Sequence, residues 1–94
     1  MSTRCIINLI LTVEIDDNIF YDLIFKSLYF NHDGYPEGVG VTLMRACLNE
    51  KYIDVISNIK GIKEIPARAV GYGEEYIYNI YCNENGPLIQ IKEI

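Results

Sequence analysis

Residues 4–15 alternate between two faces, with Cys5, Ile7, Leu9, Leu11, Val13 and Ile15 on one and Ile6, Asn8, Ile10, Thr12 and Glu14 on the other. The first face is wholly apolar and the second is mixed. That is the pattern of a long β-strand with one face on a core. A strand of this length needs hydrogen-bonding neighbours and a cover for its apolar face, so the chain has to build a sheet with something packed against it. Asp16-Asp17-Asn18 then marks a turn, because short acids and Asn bond their own backbone and tolerate a left-handed conformation. Residues 19–31 resume an extended pattern rich in Phe, Tyr, Ile and Leu, which makes an antiparallel hairpin the simplest reading. A short helix over 19–27 competes with it, since Ile19, Leu23 and Ser27 also fit helical spacing.

The run His32-Asp33-Gly34-Tyr35-Pro36-Glu37-Gly38-Val39-Gly40 breaks this pattern with three glycines and a proline, and reads as a structured loop. Beyond it, Val41, Leu43, Met44, Cys47 and Leu48 recur at helical spacing. Pro36 suits the first helical turn, where its missing donor costs nothing, so the spacing predicts a helix over about 36–50. Ile53, Ile56 and Ile59, followed by Gly61, predict a shorter helix over 52–59. Residues 62–74, with Pro66, Gly71 and Gly73, read as a loop holding a short extended piece. Tyr76 to Cys82 alternates as a strand, Asn83-Glu84-Asn85-Gly86 is a hairpin signal, and Leu88 to Ile94 closes it with Ile89 and Ile91 facing inward. Tyr72, Glu74, Tyr76 and Tyr78 read as surface and edge-strand residues.

The expected fold is therefore α+β, a single domain over 1–94 in the order ββ-α(α)-ββ. It has a four-stranded, mostly antiparallel sheet, with one main helix and a short second helix packed on one face. The apolar face of the first strand and the stripe Leu43, Met44, Cys47 and Leu48 would form its core.

Thirteen acids against eight bases give a net charge of −5. This argues against direct nucleic-acid binding, which needs clustered Lys and Arg, and is compatible with a basic partner. Cys5, Cys47 and Cys82 are odd in number and lack C-x-x-C spacing, which argues against a disulfide framework and a structural zinc site. Buried thiols in a reducing cytoplasm are the expectation. The first apolar stretch is interrupted by Asn8, followed by Glu14, Asp16 and Asp17, and is too short to cross a bilayer, so no membrane association is expected.

The loop supplies the candidate site. Glycine backbones at Gly34, Gly38 and Gly40 allow close approach, and free amides at a helix start attract anions, so a phosphate, a nucleotide or a partner's carboxylate could bind there between Tyr29 and Tyr35. Asp33 and Glu37 place negative charge beside that position and could instead cap the helix themselves. The spacing is not that of the phosphate loop G-x-x-x-x-G-K-[ST]. His32, Asp33 and Glu37 form the one set from which acid–base or metal chemistry could be built. Arg4, at the start of the first strand, is placed to pair with Asp33 or Glu37 and hold the loop.

The opening Met1-Ser2-Thr3-Arg4 and the run Tyr29-Phe30-Asn31-His32-Asp33-Gly34-Tyr35-Pro36-Glu37-Gly38-Val39-Gly40 together resemble a family of small uncharacterised proteins of bacteriophages and prophages. Its members open with Met-Ser-Thr-Arg and carry Tyr-x-His-Trp-Asp-Gly-Tyr-Pro-Glu-Gly-Val-Gly ahead of a helix. The Asp-Gly-Tyr-Pro-Glu-Gly-Val-Gly core matches residue for residue. Asn31 stands where the family has its His, and His32 where it has its Trp. The resemblance implies a phage origin and residence in the host cytoplasm; it implies no activity. Together these features point to a small non-enzymatic accessory protein, without cofactor, that binds a host protein such as a defence component, or a small anionic nucleotide. The alternatives are a metal-dependent hydrolase or nuclease using His32, Asp33 and Glu37, and a structural oligomer subunit. A homodimer fits the first and last of these.

Overall fold

The computed structural model describes residues 3–94. Strands β1 (Cys5–Asp16) and β2 (Ile19–Phe30) form a long hairpin, pairing from Cys5 with Phe30 to Asp16 with Ile19. The competing helix over 19–27 is not formed. Asn18 takes a left-handed φ of 64° at the turn, as the Asp-Asp-Asn sequence requires. A single π-turn (Pro36–Gly40), with Pro36 in its first positions, leads into α1 (Val41–Ala46); α2 spans Tyr52–Ser57. Then follow β3 (Lys63–Ile65), β4 (Tyr76–Asn83) and β5 (Gly86–Glu93).

The α+β class, the helical layer and the mostly antiparallel pairing are as expected, whereas the strand number and one pairing are not. The sheet has five strands in the order β3-β2-β1-β4-β5, and it is mixed. β1 and β4 run parallel, Cys5 beside Tyr76 through Ile10 beside Tyr81, while the other pairs are antiparallel. The fifth strand is the three-residue β3, the short extended piece of the 62–74 stretch, which pairs with β2. Segment 66–75 then returns to the far side of β1, where the Glu75 amide donates to the Arg4 carbonyl at 2.8 Å and starts the parallel pairing.

The helical segments are also shorter than their spacing predicts, and the core stripe shifts accordingly. Leu43 is fully buried and Ala46 nearly so, but Met44 is exposed and Leu48 is 89% exposed. Met44 lies on the outer face of α1, and because the chain leaves the helix at Ala46, Leu48 no longer follows the buried face. The core instead packs Cys5, Ile7 and Leu9 of β1, Leu28 and Phe30 of β2, and Tyr78 and Ile80 of β4 beneath Val39, Leu43 and Ile56. Tyr78, expected near a surface or edge, has no exposure at all, because β4 lies between β1 and β5. Ile89 packs against the core, while Ile91 is 45% exposed.

Candidate functional site

The loop after β2 is closed on itself. Asp33 adopts a positive φ of 57° and its carbonyl accepts the Val39 amide at 2.8 Å. The Tyr35 carbonyl accepts the amides of Gly38 at 2.9 Å and Gly40 at 3.5 Å, and the Gly34 amide donates to the Thr3 carbonyl at 3.0 Å. The buried Tyr78 hydroxyl donates to the Gly34 carbonyl at 2.7 Å, pinning the loop to the middle of the sheet. Two glycines are required by close approach: a Cβ on Gly34 would lie 2.7 Å from the Thr3 carbonyl oxygen, and one on Gly38 would fall on the Asp33 carbonyl. The amides of Gly34, Gly38, Val39 and Gly40 are thus donated within the chain, and α1, at six residues, has little dipole to add.

The residues singled out by sequence do not converge on one place. His32 and Asp33 face each other, Nε2 to Oδ2 at 3.6 Å, beside a hollow of about 210 Å³ that Phe30, Gly38 and Val39 also line. Tyr35 lines a different hollow with Thr3, Tyr76 and Glu93, and the charge of Asp33 beside it pushes its hydroxyl pKa up. Tyr29 lies against Tyr72, ring centres 5.3 Å apart. Its strand neighbour is Ile6, on the sheet face away from the helices, so Tyr29 and Tyr35 do not wall one pocket. Arg4 makes no ion pair with Asp33 or Glu37 among the described residues; its guanidinium rests against Gly73, where a Cβ would collide with it. The return of segment 66–75 to β1 explains this, since it reaches Arg4 before the loop does. Among the described residues no three His, Cys, Asp or Glu side chains are grouped to hold a metal ion. Burial pushes the Cys5 thiol up to about 12, which leaves it an uncharged core group.

Sequence reasoning missed the back of the sheet. One cross-strand row there is polar: Ser27, Asn8, Asn79 and Gln90 are register partners on β2, β1, β4 and β5. Their side chains form a chain of hydrogen bonds running one way. The Arg68 amide donates to Ser27 Oγ (3.1 Å), Ser27 to Asn8 Oδ1 (2.7 Å), Asn8 to Asn79 Oδ1 (3.0 Å) and Asn79 to Gln90 Oε1 (3.2 Å). The row of Ile6 and Ile77 lies on one side of it and that of Ile10 and Tyr81 on the other. With Arg68, Ala69 and Val70 along one side, these strands line a half-open cavity of about 480 Å³. Asn8, which interrupts the first apolar run, was the one visible signal.

The second missed feature is the outer half of the hairpin. Between residues 11 and 25, Leu11, Val13, Ile15, Ile19, Phe20, Tyr21, Leu23 and Phe25 are all exposed, Ile15 by 66% and Phe20 by 61%. β4 pairs with β1 only as far as Ile10, and β3 pairs with β2 only over Ser27–Tyr29, so both edges of this arm are open. The arm holds Glu14, Asp16, Asp17 and Asp22 and no Lys or Arg, which places nearly the whole net charge on it. The chain measures 48 × 29 × 20 Å and exposes 6306 Å², against about 5500 Å² expected for a folded chain of 10.8 kDa.

Comparison with protein-family models, with curated proteins and with solved structures finds no match. Among the described residues, no helix is long and apolar enough to cross a membrane.

Proposed function

We propose that this chain is a non-catalytic binding protein, a phage accessory factor in the sense its loop resemblance implies, and that the hairpin arm is where it grips a basic partner protein. The observation that supports this reading most is the arm itself. Isolated two-stranded ribbons are marginal in water, and natural sheets blunt their open edges with Lys, Pro or a cover. This arm does none of these. It presents open backbone edges, large apolar side chains and a net negative charge that Arg68, against Tyr21, offsets only in part, the features of β-strand addition to a positively charged surface. The excess exposed area, about 800 Å², is what one partner contributes to an interface of standard size. Like charge disfavours the arm of a second copy as the occupant, since four acids would meet four acids.

The test is capture from host lysate with the wild-type chain and with an arm-shortened variant in which Asn-Gly replaces residues 13–21, joining the register partners Thr12 and Asp22. The wild type is expected to retain a basic protein that salt releases, and the shortened variant to lose it while keeping the melting profile of the body. Identical retention by both chains would remove the arm from the interface. Hydrolysis of a nucleotide or nucleic acid by the purified chain, abolished by His32→Ala, would replace this reading with the metal-dependent hydrolase.

A further inference from the structure

The amide row behind the sheet has unused hydrogen-bonding capacity aimed at a cavity. A side-chain amide carries two N–H donors and a carbonyl oxygen with two lone pairs. In the chain of bonds across the sheet, Asn8 spends one donor on Asn79 and accepts once from Ser27, while Asn79 spends one donor on Gln90 and accepts once from Asn8. Each therefore keeps one N–H and one lone pair, and both side chains line the cavity. The ladder uses one donor and one acceptor site of each amide, which leaves one of each to pair with a ligand. Neighbouring strands stand about 4.8 Å apart, so the floor repeats this donor–acceptor edge twice.

The surroundings narrow what can use such an edge. The neighbouring rows, Ile6 with Ile77 and Ile10 with Tyr81, are flat and apolar, which suits a planar ring. Asp22 stands at the wall; one of its oxygens accepts from Thr12 at 2.9 Å and the other is free to accept from a hydroxyl. Arg68, the one base in the lining, donates to the Tyr21 hydroxyl, stacks 6.0 Å from that ring's centre and keeps its charge, which offsets that of Asp22. With those two charges balanced and a chain charge of −5, the cavity favours an uncharged ligand over a phosphorylated one. A volume of about 480 Å³ lies within the range of small-molecule sites.

We infer that this cavity is a binding site for an uncharged nucleoside or free nucleobase, whose donor–acceptor edge pairs with the amide of Asn8 or Asn79. Adenine is the natural probe, because an Asn amide pairs with it through two hydrogen bonds, one to its exocyclic amine and one to a ring nitrogen. The amides that would pair with the ligand lie on the body of the sheet, and the arm borders the cavity only at Asp22 and Ile24.

The test is a titration of the isotope-labelled wild-type chain with adenosine, followed by the side-chain amide resonances of Asn8 and Asn79, with toluene as a probe that fills the cavity but has no amide-pairing edge. Adenosine is expected to shift both side-chain resonances saturably, with a Kd between about 1 μM and 1 mM, and toluene to move them only by its ring current, without the downfield shift of a new hydrogen bond. Adenosine monophosphate is expected to bind at least severalfold more weakly than adenosine, and Asn79→Leu to lose the adenosine response. Because Asn79→Leu also breaks the ladder, Val70→Asp, on the exposed wall, serves as a second variant expected to weaken binding with the ladder intact. No saturable shift of either amide with adenosine in the wild type would overturn the inference. So would equal amide shifts with toluene, or tighter binding of the phosphate form.

Discussion

The two halves of β1 carry the same sequence pattern and meet opposite fates. From Cys5 to Ile10 every residue is buried, on both faces; from Leu11 to Asp16 every residue is exposed, although Leu11, Val13 and Ile15 continue the apolar alternation without a break. The inner half has β4 on one edge, β2 on the other, Leu43 and Ile56 above and segment 66–75 behind. The outer half has β2 alone. Alternation states which face wants cover; it does not state how far along the strand cover extends. In the inner half that demand is met within the chain, and in the outer half it is not.

The sharpest way to break this comparison is to remove the same kind of side chain from each half. Ile7→Ala, in the closed core, is expected to cost about 2–5 kcal/mol in chemical denaturation. Val13→Ala in the arm is expected to stay within about 0.5 kcal/mol. A large loss at Val13, growing with protein concentration, would mean that a second copy covers the arm.

The loop gives two intermediate tests of how firmly the body is braced. Gly38→Ala sets a Cβ on the Asp33 carbonyl, a backbone atom held by the Val39 amide, and is expected to cost about 1–3 kcal/mol. Tyr78→Phe leaves the Gly34 carbonyl without its buried donor and is expected to cost about 1–3 kcal/mol. If both variants melt like the wild type, the loop is not a brace, and its glycines regain interest as a ligand contact.

The smallest effect is a pH response in the segment behind the sheet. Burial pushes the Glu74 pKa up, but hydrogen bonds from the amides of Glu74, Tyr72 and Gly71 outweigh it and hold the carboxyl below its ordinary 4.5. A lowered folded pKa means that this carboxylate stabilises the fold above its ordinary pKa, and that the contribution is lost as pH falls through the folded value. The Tyr72 amide resonance should therefore step in acid, below pH 4.5, and the step should vanish in Glu74→Gln. A step that survives in the variant would assign it to another acid.

Much of the local structure was legible. The two hairpins, the left-handed Asn18 and the proline at the start of the helical turn follow from side-chain chemistry acting within a few residues. The short run Lys63–Ile65 was legible only as an extended piece somewhere in 62–74, because three residues carry no period and gain strand character only by pairing with Ser27–Tyr29. The helix ends were misjudged for a related reason: the spacing of Met44 and Leu48 is helical, yet nothing packs on them. As for the candidate site, the loop was recognisable from its glycines and its resemblance, but its internal bonding depends on Thr3 and Tyr78, which are distant in sequence.

Residue order alone determined the alternation of β1, the turns, the α+β class and the acidity that now marks the arm. Tertiary structure alone decided that β1 and β4 lie parallel, that Asn8 and Asn79, 71 residues apart, share one row, and that the hairpin outruns its cover. The physical reason is range. Turn and strand preferences are set by a residue and its immediate neighbours, whereas register and burial depend on which distant segment fills the space beside a strand, and no local pattern encodes that choice.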